Sequence, residues 1–244
     1  LCDGDLNLTA DVIHVDHDVP KKSGGDAKLD NLHLAHPACN KFKVDHKSTD
    51  VRPFLKFKRF HQQNQGTLDF AQAQQYFKAV PKQISVELKG RSATFHLPDA
   101  SKPVVPVLKE KVAQETIEYC FVDLPLSALW NDIDVQPRKI KINHLFLIAS
   151  DLRINPLHEQ PTCRLIAAKK EQVKLALFDG QHKALAKALN GAKSTTYKVY
   201  LNLSREQATV LVNSIQAKIK KLPLTPFELV ANCLLYTSDA ADEG

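Results

Sequence analysis

The pattern of apolar and polar positions changes at about residue 48. Before that point there is no long helical period, and the short runs "DVIHVDH" and "NLHLAH" alternate as half-buried strands do. Pro20 and the Ser-Gly-Gly step at residues 23–25 punctuate this segment with turns. A helical period follows over residues 48–80. We predict one helix over "VRPFLKFKRFHQQ", capped by Asp50, and a second over "LDFAQAQQYFKAV", capped by Thr67.

Strand signals return after the helices. The run "QISVELKGRSATFHL" predicts a hairpin that turns at Lys89 and Gly90, and the proline-rich run "PDASKPVVPVLKEK" is the best candidate for a linker. Beyond it, we predict strands at "TIEYCFVDL" and "TYKVYLNL", two more within "CRLIAAKKEQVKLALF", and helices at "GQHKALAKALNG" and "SREQATVLVNSIQAKIKK". The second half is therefore expected to be an α/β domain.

The composition fits a globular chain with an anionic partner. With 244 residues the chain is long enough for two modest domains. Its formal charge is +6, and the basic excess is concentrated in residues 41–59. The five cysteines have no repeated spacing, which argues against a disulfide framework and favours a cytoplasmic location. No apolar run reaches the roughly 18 to 20 residues that cross a bilayer, so we expect no membrane partner.

Neither end of the sequence resembles a natural terminus. The chain begins at Leu1 and contains no methionine, so we expect it to be truncated at the N-terminus. The final run "CLLYTSDAADEG", residues 233–244, resembles a translated sequencing adapter. We therefore treat it as a non-native tail and leave it out of the fold prediction.

Residues 14–43, "HVDHDVPKKSGGDAKLDNLHLAHPACNKFK", concentrate side chains that bind metal ions or transfer protons. Cleavage of a phosphodiester bond needs a divalent ion to neutralise charge on the phosphate and a base to deprotonate water. Asp16 and Asn40 could supply the oxygen ligands that Mg²⁺ prefers, and His17 could be the base, because histidine has an ordinary pKa of about 6.5. Since neighbouring strand residues point to opposite faces, Asp16 and His17 can act together only where the strand ends. For an isolated Asp-His pair, a surface contact or a helix cap is the alternative.

Over residues 1–48 the sequence resembles the HNH endonuclease motif. The shared features are the Asp-His pair, the proline, the Ser-Gly-Gly loop, the Asn-Leu step and a Cys-Asn pair that precedes a lysine. The resemblance implies a ββα-metal fold in which Asp16 and Asn40 bind a divalent metal, Mg²⁺ or Mn²⁺. It also implies that His17 is the general base and that Asn31 belongs to the catalytic group, because its hydrogen bonds hold the loop and orient His17.

The other histidines and the basic tract have less specific readings. We expect His14, His33 and His46 to be structural or exposed to solvent. Residues 41–59 are either a solvated helix face or, beside a nuclease site, a surface that binds DNA phosphates.

The same family often carries a structural zinc site built from two Cys-x-x-Cys pairs. By this resemblance Cys2 would be the second cysteine of the first pair, and His36 and Cys39 would stand where the second pair lies. These three residues are a candidate structural Zn²⁺ site that lacks the fourth ligand of a complete one.

A second group of candidate residues follows the apolar run "KLALF". Asp179, Gln181, His182 and Lys183 surround Gly180 at the predicted start of a helix. Backbone N–H groups at a helix start favour anions, so these residues are a candidate anion- or nucleotide-binding site. The alternative is structural, with Asp179 as the helix cap.

The wider segment from about residue 117 to residue 203 resembles the ParB/sulfiredoxin-like fold, and "DGQHK" resembles the motif of the DGQHR family. In this chain Lys183 replaces the arginine, which keeps the positive charge but loses the planar fork that recognises phosphate with two hydrogen bonds. Members of that group bind nucleotides or DNA, so the resemblance implies a DNA-related setting, such as DNA modification or defence.

The sequence thus predicts an α+β protein of three parts and a tail. They are an HNH module at 1–48, a connector of helices and a hairpin at 49–115, a DGQHR/ParB-like α/β domain at 116–232, and the tail at 233–244. The leading hypothesis is a metal-dependent endonuclease that cuts DNA, with a second domain that binds DNA, a nucleotide or a protein. The alternative is a DNA-binding or regulatory protein without catalysis.

Overall fold

The computed structural model describes residues 1–112, 114–168 and 172–217. Residues 1–208 form one compact unit, and residues from 209 onwards form a second, of which only the end of a helix is described. The predicted tail at 233–244 and the last part of the predicted C-terminal helix lie outside the described residues. Within the described ranges, no helix is both long and apolar enough to cross a membrane.

The N-terminal segment is a hairpin followed by a helix. Strand β1 (His14–His17) pairs antiparallel with β2 (Leu32–Ala35), which places Asp16 opposite His33. Helix α1 (Pro37–Lys43) has its proline in the first turn, where the missing N–H costs nothing. This is the ββα order that the sequence predicted.

Two helices follow, and both begin at residues other than the predicted caps. Helix α2 (Ser48–Gln63) starts before Asp50, which therefore lies in its first turn. Helix α3 (Phe70–Tyr76) is capped by Asp69 and not by Thr67: the Asp69 carboxylate accepts from a backbone N–H three residues on, and that residue's side chain accepts from the Asp69 N–H. Such a reciprocal pair satisfies two backbone groups that a helix start would otherwise leave free.

The predicted hairpin is confirmed, although it turns at Gly90 and Arg91 and not at Lys89 and Gly90, whereas the predicted linker is wrong. Strands β3 (Ser85–Lys89) and β4 (Ser92–His96) pair antiparallel. The proline-rich run after them forms β5 (Val104–Pro106), which pairs with β4, and β6 (Leu108–Val112). Pro106 lies in β5, at the edge of a three-stranded sheet, where a residue without an N–H is tolerated.

A six-stranded mixed sheet forms the second half. Its further strands are β7 (Glu115–Pro125), β8 (Leu129–Asn131), β9 (Thr162–Ala167), β10 (Val173–Asp179) and β11 (Ser194–Tyr200). Their order is β6-β7-β11-β9-β10-β8, with β11 parallel to β9 and β10 parallel to β8. The strands that the sequence predicted here are confirmed, and β8 is an addition. The mixed α and β content agrees with an α+β class, while the ParB/sulfiredoxin-like relationship stays a prediction.

Three helices belong to this half. Helix α4 (Ile142–Asp151) was not predicted, whereas α5 (Gln181–Leu189) was. Helix α6 (Arg205–Ala217) was also predicted, and its start is capped by reciprocal hydrogen bonds between Ser204 and Gln207.

The main hydrophobic core joins elements from both halves. Its buried side chains come from α2, β4, α4, α5 and β11, among them Phe54, Phe57, Phe95, Leu145, Leu185 and Val199. A smaller cluster of Cys39, Val51 and Leu55 packs α1 against α2. Helix α2 therefore lies between the N-terminal hairpin module and the main core.

Arg153, just after α4, fastens α2 to the second half. Its Nη2 donates to the carbonyl of Asp50 at 2.6 Å, and its guanidinium lies 4.8 Å from the centre of the Phe54 ring. Its Nε also donates to Oδ1 of Asn190 at 3.3 Å. One arginine thus links the start of α2 with the end of α5.

Candidate functional site

Asp16 is held in a buried ion pair at the end of β1. Its side chain is only 6% exposed, and Nζ of Lys43, which is 1% exposed, lies 3.1 Å from Oδ1. The same ammonium donates to the carbonyl of His17. Oδ2 of Asp16 is buried and has no hydrogen-bond partner within the described part of the chain. A buried carboxylate oxygen without a partner is costly unless another group, such as a cation, satisfies it.

His17 is the last residue of β1, which is the strand end that the sequence argument required. Its Nε2 is buried and likewise lacks a partner among the residues that the structure describes. The next residue turns away, and the N–H of Asp18 donates to the carbonyl of Asn31 at 2.8 Å. An imidazole nitrogen that no described residue bonds is the kind of group that can accept a proton once a water or substrate reaches it.

Asn31 ties together the loop that follows His17. Its Oδ1 accepts from the N–H of Val19 at 2.8 Å, while its Nδ2 donates to the carbonyls of Val19 at 3.0 Å and Asp26 at 2.7 Å. Gly25 makes this close packing possible, because a Cβ there would lie 1.8 Å from the Val19 oxygen. The amide thus uses both its ends to fix the backbone next to His17.

Asn40 lies in α1, which packs against β1. The amide Nδ2 of Asn40 is 3.2 Å from Nδ1 of the exposed His14 and donates to it. The side-chain Oδ1 of Asn40 takes no part in this hydrogen bond. His14 and Asn40 are 26 residues apart in sequence, and only the ββα fold brings them together. The expectation that His14 is exposed is confirmed, and its contact with Asn40 is an addition.

The three candidate zinc ligands meet in space. One ligand atom from each of Cys2, His36 and Cys39 lies within 4.8 Å of the others. Nε2 of His36 donates to the carbonyl of Asp5 at 3.1 Å, so its unprotonated Nδ1 faces Cys2 Sγ at 3.5 Å. A metal-binding histidine is oriented in the same way, with its second nitrogen donating to a carbonyl. Burial and a hydrogen bond with Cys2 raise the pKa of the Cys39 thiol to about 11, so a thiolate at neutral pH needs a cation.

The start of α5 depends on Gly180. This residue has a φ of +87°, and a Cβ on it would lie 2.7 Å from Cβ of Pro161. The N-cap residue is Gly180, so the structural alternative, in which Asp179 is the N-cap residue, is wrong. Burial raises the pKa of Asp179, although the nearby Lys183 and a hydrogen bond from the N–H of Gly180 lower it. The Asp179 carboxyl group therefore bonds to the backbone directly before the helix.

The other side chains of this motif have partners inside the protein. Gln181 is 3% exposed and donates to Oδ1 of Asn131. Nε2 of His182 accepts from the N–H of Lys141 at 2.9 Å, and burial lowers the pKa of His182 to about 4. Nζ of Lys183 lies 3.3 Å from a carboxylate oxygen of Glu159. Lys183 is therefore the only cation of the predicted set at the helix start, and the carboxyl groups of Asp179 and Glu159 lie near it.

Sequence reasoning placed Lys43 in the wrong environment. As part of the basic tract it was expected to face solvent or DNA, but it is buried against Asp16. Lys41, Lys47 and Arg52 of the same tract are exposed. The only signal in the sequence was the position of Lys43, three residues after Asn40, which places both on neighbouring turns of one helix.

In a comparison with protein families, residues 1–46 match the model of the HNH endonuclease family. This match covers the segment that has the ββα order. Comparison with curated proteins gives no match.

Proposed function

We propose that this protein is a metal-dependent endonuclease that cuts DNA with its HNH domain. The observation that carries the proposal is that Oδ2 of Asp16 and Nε2 of the next residue, His17, are both buried without a partner among the described residues, within a segment that matches the HNH family. Metal-assisted hydrolysis needs a carboxylate oxygen that binds a cation and an imidazole nitrogen that accepts a proton from water.

The ligand set fits a hard divalent cation. Oδ2 of Asp16 and the side-chain Oδ1 of Asn40 are oxygen ligands of the kind that Mg²⁺ or Mn²⁺ prefers. The amide nitrogen of Asn40 is bonded to His14, which leaves the side-chain oxygen as the ligand atom. When bound, the ion would neutralise charge on the scissile phosphate and on the leaving oxygen. Asp16 and Asn40 would hold it.

His17 takes the proton of the attacking water at Nε2. Asn31 keeps the imidazole in place, because it fixes the backbone at Val19 through two hydrogen bonds. The exposed Lys41, Lys47 and Arg52 contact DNA phosphates, which gives binding that weakens as salt is added.

Cys2, His36 and Cys39 hold a structural Zn²⁺. The support is the clustering of three ligand atoms and the orientation of His36 by a backbone carbonyl. Bound zinc would fix the segment around Cys2 against α1 and would add stability to the HNH domain.

For the second half we propose a role in binding an anionic group of DNA or of a nucleotide. The glycine at the N-cap of α5 and the ammonium of Lys183 support it. Gln181 and His182 then act by shaping the turn, since their side chains bond to Asn131 and to the backbone of Lys141. A setting in DNA modification or defence rests on the DGQHR resemblance.

Plasmid cleavage tests the nuclease proposal. The full chain is incubated with supercoiled plasmid and Mg²⁺ or Mn²⁺, alongside His17→Ala and Asp16→Ala. Loss of the base should slow nicking by about 10²- to 10⁴-fold at any metal concentration, whereas Asp16→Ala should recover part of its rate as metal is raised. His33→Ala, an exposed histidine on the paired strand, is the matched control.

Two results would argue against the proposal. If the wild type binds plasmid in a gel-shift assay but cuts nothing with any divalent metal, the non-catalytic DNA-binding alternative is correct. If the wild type cuts and His17→Ala cuts equally fast, the base is another residue.

A further inference from the structure

Lys43 is the most deeply buried charged side chain near the candidate active site, with 1% of its side chain exposed. Lysine is normally exposed, because removal of an ammonium from water is costly unless close partners replace the water. A buried ion pair rarely improves stability over an apolar pair of similar size. The position of Lys43 therefore calls for an explanation other than stability.

The contacts of Lys43 suggest that explanation. Its Nζ lies 3.1 Å from Oδ1 of Asp16 and also donates to the carbonyl of His17. It therefore reaches across from the end of α1 and touches both residues that the proposed mechanism places at the reaction centre. Asp16 and His17 are neighbours in a strand, so their side chains leave the backbone on opposite sides, and a shared partner can fix their relative position.

The ion pair also determines which oxygen of Asp16 is free. Lys43 occupies Oδ1, whereas Oδ2 has no partner within the described residues. A carboxylate held at one oxygen cannot rotate freely, so the other oxygen keeps one direction. This is the arrangement in which a group behind a metal ligand sets the ligand's orientation.

We infer that Lys43 is a positioning residue of the nuclease site, which acts through Asp16 and the backbone of His17 and does not itself touch DNA. The inference rests on the proposed endonuclease function. It removes Lys43 from the phosphate-binding surface and assigns the lysine that closes α1 to the geometry of the reaction centre.

The test is Lys43→Met, which keeps the length of the side chain and removes its charge. Nicking is measured over a range of Mn²⁺ concentrations, and binding of Mn²⁺ is measured separately from the loss of the free-ion signal in electron paramagnetic resonance. We expect the rate at saturating Mn²⁺ to fall about 10- to 100-fold, since misplacement of reacting groups by about 1 Å has effects of that size. Binding of Mn²⁺ should persist, because the Asp16 side chain itself is retained, and more metal should not restore the rate.

Two further variants separate positioning from general stability. Lys43→Gln keeps an N–H donor at this place and should cut faster than Lys43→Met; it also replaces that variant if the methionine protein does not fold by circular dichroism. Lys89→Met removes an exposed lysine of the β3–β4 hairpin and should cut as the wild type does.

The outcomes distinguish the inference from the function on which it rests. A folded Lys43→Met protein that cuts at the wild-type rate, or whose loss is fully reversed by excess Mn²⁺, would overturn the positioning role while the nuclease proposal stands. A wild type that cuts no DNA with any metal would overturn the nuclease proposal, and the role of Lys43 with it.

Discussion

Asn31→Ala should destabilise the HNH domain and slow cleavage together. The substitution removes three hydrogen bonds, two of them partly buried and one exposed, between the amide and the backbone of Val19 and Asp26. A bond of this kind contributes about 0.5 to 1.5 kcal/mol, so the expected loss in the free energy of unfolding for three bonds is about 1.5 to 4.5 kcal/mol. Since the loop begins directly after His17, we also expect the nicking rate to fall about 10- to 100-fold at a temperature where the variant is folded.

Urea unfolding followed by circular dichroism measures the first effect, and plasmid nicking measures the second. Asn31→Asp keeps the acceptor for the Val19 N–H but replaces both donors with an oxygen that faces two carbonyls, so it should be no more stable than Asn31→Ala. Asn155→Ala, which loses one exposed hydrogen bond to Asp151, is the control and should cost less than about 1 kcal/mol. If Asn31→Ala unfolds at the same urea concentration as the wild type, the loop is held by something else. If it is destabilised but cuts normally, the loop does not orient His17.

Two predictions concern the turn before α5. Gly180→Ala should cost more than about 2 kcal/mol, because a left-handed alanine costs about 1 to 2 kcal/mol and its Cβ would also collide with Pro161. Gly191 has a φ of +85° and open space around a new Cβ, so Gly191→Ala should show only the cost of the left-handed backbone in the same urea assay. Equal losses of stability in the two variants would refute the collision with Pro161. His182 has a pKa lowered by burial to about 4, below the ordinary value of about 6.5, so its contribution to stability is complete above pH 6.5 and is lost as the pH falls towards 4. Unfolding of His182→Gln should therefore depend less on pH across that range, and an unchanged pH profile would contradict the assignment.

Local patterns predicted most of the elements but not their partners. The ββα order around Asp16 and the motif at Gly180 could be predicted because each depends on residues close in sequence. The helix starts were misplaced by three residues for α2 and by two for α3, since several residues near each start can cap and the choice depends on packing. The proline-rich run could not be recognised as strands, because its pairing with β4 and β7 is a property of the folded sheet.

The candidate site shows the same division. Asp16, His17 and Asn31 were identified from the motif, and Asn31 makes the loop contacts that the family resemblance implied. The burial of Lys43 was missed, because a lysine within a basic tract is usually solvated and its partner lies 27 residues earlier in the chain. A contact of that kind needs the packing of α1 on β1, which no local pattern encodes.

The clamp that Arg153 forms between the start of α2 and Asn190 has a consequence for where cuts would fall. A nuclease on a flexible tether reaches many phosphates around the place where its companion domain binds, so its products are heterogeneous in length. In this protein the guanidinium of Arg153 bonds both to Asp50 and to Asn190, and Phe54 and Phe57 of α2 lie in the main core. These contacts limit movement of α2 relative to the second half. Under the proposed functions, the distance between the two halves would set the distance along the DNA from the contact of the second half to the cut, so that the cut would fall at a constant number of base pairs from that contact.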